Sequence, residues 1–114
     1  MAWWKRRKRQ TGTSSSSAGS ANPASVQHLT EFAQSRRGVE VFVESPTNVA
    51  QASVLLIAGD GEWTRRQVPS AAWGHKFAEH LKIPAYDAGV VGYPQRMRDW
   101  NRKQKILNQR AEND

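Results

Sequence analysis

The side chains with the clearest chemical potential in this 114-residue chain are its 17 lysines and arginines, which are concentrated near the two ends. Residues 1–10 carry five basic groups, and residues 94–110 carry six basic groups and one acidic group. Residues 11–93, by contrast, carry six basic and seven acidic groups and are close to neutral. Clustered cations attract polyanions with an affinity that falls as salt rises, so both ends are candidates for binding polyanionic partners.

The basic C-terminal segment predicts an amphipathic helix, because it opens with Pro94 and continues with good helix formers. At about 100° per residue, Met97, Trp100 and Leu107 fall on one side of that helix. The cations almost opposite are Arg98, Arg102 and Lys105, and those that flank the apolar side are Arg96, Lys103 and Arg110. We expect the helix to dock by its apolar stripe and to contact phosphates with its cations; the alternative is a solvated basic face.

Tryptophans lie beside the N-terminal cations and beside one cation of the near-neutral middle. Trp3 and Trp4 precede the basic run at residues 5–9, and Trp63 shares a predicted strand face with Arg65. An exposed tryptophan can stack on a base or enter a lipid interface, whereas a buried Trp63 would belong to the core. The cations that we predict to contact nucleic acid are Lys5, Arg6, Arg7, Lys8, Arg9, Arg65, Arg96, Arg98, Arg102, Lys103 and Lys105.

Catalytic and metal-binding chemistry finds little support in the remaining residues. The chain contains no cysteine, which excludes disulfides and thiolate metal sites. His75 and His80 are separated by about 140° around a helix and cannot chelate one metal from one face. Glu40 and Glu44 lie about 13 Å apart along a strand, too far for a paired acid and base. We predict no catalytic residue, no metal ligand and no cofactor, and we expect Asp87 to pair with an arginine of the last helix.

The elements that position these residues follow from periodicity and turn signals. Residues 11–24, TGTSSSSAGSANPA, are too polar and small to bury a core and predict a disordered linker, which makes residues 1–24 a tethered basic arm. The predicted elements are a helix starting at Ser25, strands over 39–45, 52–58 and 62–68, a helix over about 70–82, a short extended segment within 83–92 that could add a fourth strand, and a helix over 94–110. This order predicts a small single α+β domain over residues 25–110, built as α-β-β-β-α-(β)-α with an antiparallel three- to four-stranded meander, and a tail over 111–114.

Four stretches of the chain, GVEVFVESPT, GEWTRR, IPAYD and VGYPQRMRDWNRK, together resemble a family of small uncharacterised actinobacterial proteins. The resemblance covers roughly residues 28–103. Members of the family are sometimes labelled oxidoreductase, but the resemblance implies no established reaction, fold or catalytic residue. A dinucleotide site needs a glycine-rich turn between a strand and a helix, whereas Gly59 and Gly61 lie between two predicted strands, so a redox function is disfavoured.

The predicted order of elements over residues 25–82 also resembles that of double-stranded-RNA-binding domains, and LTEFAQSRRG is broadly similar to their first helix. Those domains place a lysine cluster at the start of the second helix, where it grips phosphates. This chain has Ser-Ala-Ala-Trp-Gly at residues 70–74, with only Lys76 nearby. The similarity therefore extends to topology and not to the phosphate-binding signature.

The sequence as a whole predicts a non-catalytic nucleic-acid-associated protein, with RNA favoured and no small-molecule substrate. Two alternatives stay open: a protein-interaction module with an acidic protein partner, and peripheral binding to an anionic membrane through the Trp-Trp-basic arm. No apolar run approaches the roughly 20 residues of a membrane span, and no apolar segment follows the basic start as in a secretory signal. We therefore expect a cytoplasmic protein.

Overall fold

The computed structural model describes residues 21–113, and the elements in this part of the chain confirm the predicted α+β class. In chain order they are α1 (Pro23–Ser35), β1 (Glu40–Glu44), β2 (Ser53–Ile57), β3 (Trp63–Gln67), α2 (Ala71–Leu81), β4 (Ala85–Asp87), α3 (Ala88–Val91) and α4 (Gln95–Asn113). The predicted arm residues Trp3, Trp4, Lys5, Arg6, Arg7, Lys8 and Arg9 lie outside the described residues.

The first helix begins two residues earlier than Ser25, the start that the sequence predicts. Asn22 caps it by accepting a hydrogen bond from the backbone N–H of Ala24 at 2.8 Å. Pro23 occupies the first helical position. A backbone N–H there has no hydrogen-bond partner within the helix, so the absence of this group in proline costs no hydrogen bond. An asparagine cap followed by proline therefore starts the helix inside the segment predicted as linker.

The four strands form one mixed sheet in the order β3-β2-β1-β4. Strands β1, β2 and β3 pair antiparallel, as the meander prediction requires. The optional fourth strand is present as β4, and it pairs parallel to β1 with Tyr86 opposite Phe42, so the antiparallel meander comprises three strands of the predicted three to four. A parallel pair needs a crossover between its strands, and β3 and α2 lie in the connection from β1 to β4.

The inner face of the sheet carries the main core. Val41, Val54 and Leu56 are fully buried beneath α1 and α2, together with Leu29 of α1 and Phe77 of α2. Strand β2 is buried at all five positions, because helices cover one of its faces and the C-terminal segment approaches the other. This double burial is the reason that residues 54–57 are all apolar rather than alternating, with Ser53 as the one polar residue of the strand.

Helix α2 packs unusually close to the sheet at Gly74. A Cβ atom at this position would lie 2.8 Å from Cγ1 of Val54, so only glycine fits without displacing the helix. Ser70 caps the helix by accepting a hydrogen bond from the backbone N–H of Trp73 at 3.1 Å. The rings of Trp73 and Phe77 stack with centroids 5.1 Å apart, and both side chains are buried in the core.

The outer face of the sheet carries a second, smaller apolar cluster. Its buried members are Phe42, Leu55, Ile57 and Ala88. The partly buried residues packed against it are Trp63, Tyr86, Tyr93 and Met97. The chain after β4 therefore folds back over the outer face, and this return places the start of α4 on the sheet.

Candidate functional site

Two glutamates of β1 project from the outer face, and each is held by one arginine and one tyrosine. Glu44 accepts hydrogen bonds from Nε and Nη2 of Arg65 at 3.0–3.1 Å, and from the Tyr93 hydroxyl. Arg65 lies on β3 and reaches across β2 to make this contact. The ion pair is therefore tertiary, and it joins the two outer strands of the meander.

The second cluster is built around Glu40, four residues earlier on the same strand. Its Oε1 accepts from Nη2 of Arg96 at 2.7 Å, and its Oε2 accepts from the Tyr86 hydroxyl at 3.3 Å. Arg96 also donates to the backbone carbonyls of Ala58 at 2.9 Å and Ile57 at 3.3 Å. One guanidinium thus ties the first turn of α4 to β1 and to the end of β2.

The expected pairing of Asp87 with an arginine of the last helix was wrong. Asp87 Oδ1 instead accepts from the backbone N–H of Gly89 at 2.9 Å and caps α3. The arginine of the last helix that forms an ion pair with the sheet is Arg96, and its partner is Glu40. Asp87 is committed to a local cap because α3 begins immediately after it.

The tyrosines of the two clusters are both stabilised in their neutral form. Burial raises the pKa of Tyr93 to about 12, and the hydrogen bond to Glu44 acts in the same direction. The negative charge of Glu40 raises the pKa of Tyr86, with burial as a smaller cause. Both hydroxyls therefore remain donors at neutral pH, which is what an acceptor-only carboxylate requires.

Trp63 lies on β3 in register with Ile57, and therefore level with Glu40 of β1, half-buried against the outer-face core. Its Nε1 donates to Oδ1 of Asn101 on α4 at 2.8 Å. The structure places Trp63 and Arg65 on the same face, as strand alternation predicts. Trp63 contributes both to the core and to the attachment of α4.

Only the first half of α4 rests on the domain. Met97 packs against the outer-face cluster, and Trp100 is half-buried. From Lys105 to Glu112 every side chain is exposed, including Leu107 at 47%. The prediction that Leu107 extends the docking stripe was therefore wrong, because the helix runs past the surface it would pack against.

The cations of α4 fall into two groups. Arg96 is half-buried and ion-paired with the sheet, so its charge is already balanced. The exposed cations are Arg98, Arg102, Lys103, Lys105 and Arg110. Arg98 donates to Oε1 of Gln95 at 3.2 Å, and Arg102 lies 3.8 Å from Asp99. Among residues 21–113, no carboxylate lies within ion-pair distance of Lys103, Lys105 or Arg110. Of the six cations predicted on β3 and α4, four are exposed together on the helix, namely Arg98, Arg102, Lys103 and Lys105. The other two, Arg65 and Arg96, are held apart from them in ion pairs with β1.

Residues missed by the sequence reasoning complete the two clusters. They are Glu40 and Glu44 as partners of arginine, Tyr86, Tyr93 and Asn101. The sequence feature that could have revealed them is the presence of two glutamates, Glu40 and Glu44, in an otherwise apolar strand, on the face opposite the valines. A charged residue on the outer face of a strand needs a partner or solvent, and Arg65 was the cation placed on that side.

Within residues 21–113, no group of three or more histidine, aspartate or glutamate side chains could hold a metal ion. No helix in this part of the chain combines the length and the apolar character needed to cross a membrane. Comparison with known proteins gives no matching family model, no matching curated protein and no matching solved structure. The resemblance to the actinobacterial family therefore stays a prediction.

Substitution of Gly61 should detach α4 from the sheet. A Cβ atom at Gly61 would lie 2.0 Å from the carbonyl oxygen of Arg96 and 2.9 Å from Cβ of Trp100, and the residue has φ of +97°. Gly61→Ala should therefore lower the free energy of unfolding by about 2–4 kcal/mol, from overpacking together with backbone strain. Chemical denaturation followed by tryptophan fluorescence measures the loss.

Gly92→Ala is the matched control, because Gly92 has φ of +74° but a Cβ atom there would meet nothing within 4 Å. With ψ of −173°, Gly92 lies outside the left-handed helical region, in a region nearly confined to glycine. This variant should therefore lose only backbone strain, about 1–3 kcal/mol, and less than Gly61→Ala, which adds the steric clash. Equal losses in the two variants would contradict close packing of α4 on Gly61.

The raised pKa of Tyr93 predicts a loss of stability in alkaline solution. The hydroxyl titrates at about 12 in the folded chain, against 10.0 for an ordinary tyrosine. Its stabilising contribution is therefore complete below about pH 10 and is lost as pH rises from about 10 to about 12. Tyr86→Phe leaves Tyr93 as the sole tyrosine, and its ultraviolet titration should have a midpoint near 12. A midpoint near 10 in a folded chain would exclude the hydrogen bond to Glu44.

Proposed function

We propose that this chain is a non-catalytic, nucleic-acid-associated protein of the cytoplasm that binds RNA in preference to DNA. Its principal described contact surface is the exposed part of α4, where Arg98, Arg102, Lys103 and Lys105 would contact phosphate oxygens, with Arg110 beyond them. The single observation that carries the proposal is that these cations are all exposed, with hardly any internal ion pairing, on a helix whose distal part projects past the domain.

The geometry of α4 suits a sugar-phosphate backbone. The segment from Trp100 to Glu112 spans roughly 18 Å at the rise of an α-helix, enough to lie along several consecutive phosphates. Exposed cations release counterions when they bind phosphate, and no folded-state ion pair has to be broken first for Lys103 or Lys105. Such contacts give affinity without reading sequence.

Arg65 and Arg96 take a different role in the proposal. Each already makes charge-assisted hydrogen bonds to a glutamate, so a phosphate would have to compete with an internal carboxylate. We therefore assign these two arginines to the architecture of the outer face rather than to phosphate binding. The basic run at residues 5–9, which the sequence alone describes, would add a second set of phosphate contacts.

RNA is favoured over DNA because the unpaired bases of RNA loops and single strands are open to stacking and to side-chain hydrogen bonds. Trp3 and Trp4 beside the basic run would supply such stacking surfaces. A DNA duplex keeps its bases paired and stacked, so neither of these opportunities is open there.

A protein partner is the second candidate, and one observation favours it. Ile106 and Leu107 are 43% and 47% exposed on the same projecting segment as the cations. Apolar side chains flanked by lysine and arginine suit an acidic amphipathic partner helix. This candidate predicts that binding survives nuclease treatment and depends on Ile106 and Leu107.

Binding of a single-stranded RNA oligonucleotide by the full chain tests the proposal. The variant Arg102→Gln/Lys103→Gln/Lys105→Gln removes three cations from α4. It should lose at least tenfold in affinity at low salt, and the slope of log affinity against log salt should fall by about 2, because each phosphate contact contributes about 0.7 for single strands. Fluorescence anisotropy between about 50 and 200 mM salt measures both quantities.

The matched control removes three exposed cations elsewhere, as Arg37→Gln/Lys76→Gln/Lys82→Gln. Both variants have the same net charge, so a general electrostatic effect would weaken them equally. We expect the control to lose less than about threefold, since long-range charge effects are screened at these salt concentrations. Absence of RNA binding by the unmodified chain at about 50 mM salt, or equal losses in the two variants, would refute the proposal.

A further inference from the structure

A groove of about 670 Å³ opens on the outer face, at the end of the sheet away from the docked turn of α4. One wall is the loop at residues 45–51, the other is the start of α3 with Tyr93, and the floor is formed by outer-face residues of β1, β2 and β3. The volume lies within the range of small-ligand sites in proteins.

The charges that line the groove disfavour an anionic ligand. Two carboxylates, Glu44 and Asp87, border it together with one guanidinium, that of Arg65. Glu44 holds that guanidinium in a bidentate ion pair, so little positive charge remains for a phosphate or carboxylate. A neutral group with hydrogen-bonding edges is the better match.

Arg65 presents a flat surface whose orientation is fixed. Its Nε and Nη2 are both bound to Glu44, which sets the plane of the guanidinium. Its Nη1 makes no hydrogen bond to the residues that the structure describes, and its side chain is 53% exposed. A pre-oriented guanidinium stacks on planar heteroaromatic rings and retains two N–H donors for a ligand acceptor.

Polar groups at the floor and wall supply directional hydrogen bonds. Gln51 Nε2 donates to the backbone carbonyl of Val68 at 3.0 Å, which fixes the amide and leaves its Oε1 as an acceptor. The Ser53 side chain lies at the floor, and the exposed Gln67 amide lies beside it on β3. Donors and acceptors of this kind match the hydrogen-bonding edges of bases.

From these features we infer that the groove binds one neutral planar heteroaromatic group, and that its occupant is an unpaired nucleobase. The identification as a nucleobase rests on the proposed function, since α4 would hold the phosphates of the same strand while the groove takes a base. Arg65 stacks on the ring, and Gln51, Ser53 and Gln67 bind its edge. The groove would supply the base contacts that the cations of α4 lack.

Titration of the isotopically labelled full chain with adenosine, guanosine, cytidine and uridine tests the inference, because nucleosides carry no phosphate. We expect at least one nucleoside to shift the side-chain amide resonances of Gln51 and Gln67 and the Nε–H of Arg65, with half-saturation at about 1 mM or below. Arg65→Lys should weaken binding about tenfold, because lysine keeps the charge but loses the stacking plane.

The matched control is Arg66→Lys, since Arg66 neighbours Arg65 on β3 but points to the inner face. It should bind nucleosides as the unmodified chain does, and unchanged backbone resonances of β2 would show that both variants are folded. If nucleosides shift the groove resonances while RNA does not bind α4, base binding by the groove is supported and the proposed function is refuted. If RNA binds through α4 but no nucleoside shifts the groove, or if both lysine variants weaken binding equally, the inference is overturned.

Discussion

The contact that organises the outer half of this protein is the one made by the Arg96 guanidinium. It joins the first turn of α4 to the carboxylate of Glu40 and to the backbone carbonyls of Ala58 and Ile57. Gly61 permits this approach, because any side chain there would collide with the helix backbone. The Arg96 contact fixes the start of the helix, the hydrogen bond from Trp63 to Asn101 holds it one to two turns later, and the distal half has no surface to pack on.

This arrangement separates the charges of the described chain by role. On the outer face, each half-buried glutamate of β1 is matched by one arginine, so the sheet presents paired charges. On α4, five exposed cations face only Asp99 and Glu112 along the same helix. The arginines that form the ion pairs of the outer face, Arg65 and Arg96, are therefore different residues from the exposed cations of α4 that are available to a ligand.

Much of the fold could be predicted because local signals and tertiary packing agree. The apolar run of β2, the Ser70 cap and the spacing of Trp73 and Phe77 each indicate the element that forms. The parallel pairing of β4 could not be predicted, because it depends on how α2 returns the chain to the sheet and not on residues 85–87 themselves.

The site was predicted less completely than the fold, for a physical reason. Strand alternation placed Arg65 on the same face as Trp63, but its pairing with Glu44 depends on the registers of three strands. Helical periodicity placed Leu107 beside Trp100, but where the docking surface ends is a property of the whole domain. Helical periodicity alone was enough to predict the exposure of the cations Arg98, Arg102, Lys103 and Lys105, because a solvent-exposed side chain needs no tertiary partner.

Hydrogen exchange along α4, with and without a single-stranded RNA oligonucleotide, tests most directly whether the ligand-binding cations of the helix extend from Arg98 into its projecting half, where Lys105 and Arg110 lie. Without RNA, we expect the backbone amides of residues 97–104 to be protected and those of residues 105–112 to exchange much faster, because few tertiary contacts stabilise them. RNA should slow exchange in the distal segment. Equal protection of the two halves without RNA, or protection by RNA that leaves the distal half unchanged, would contradict this role for α4.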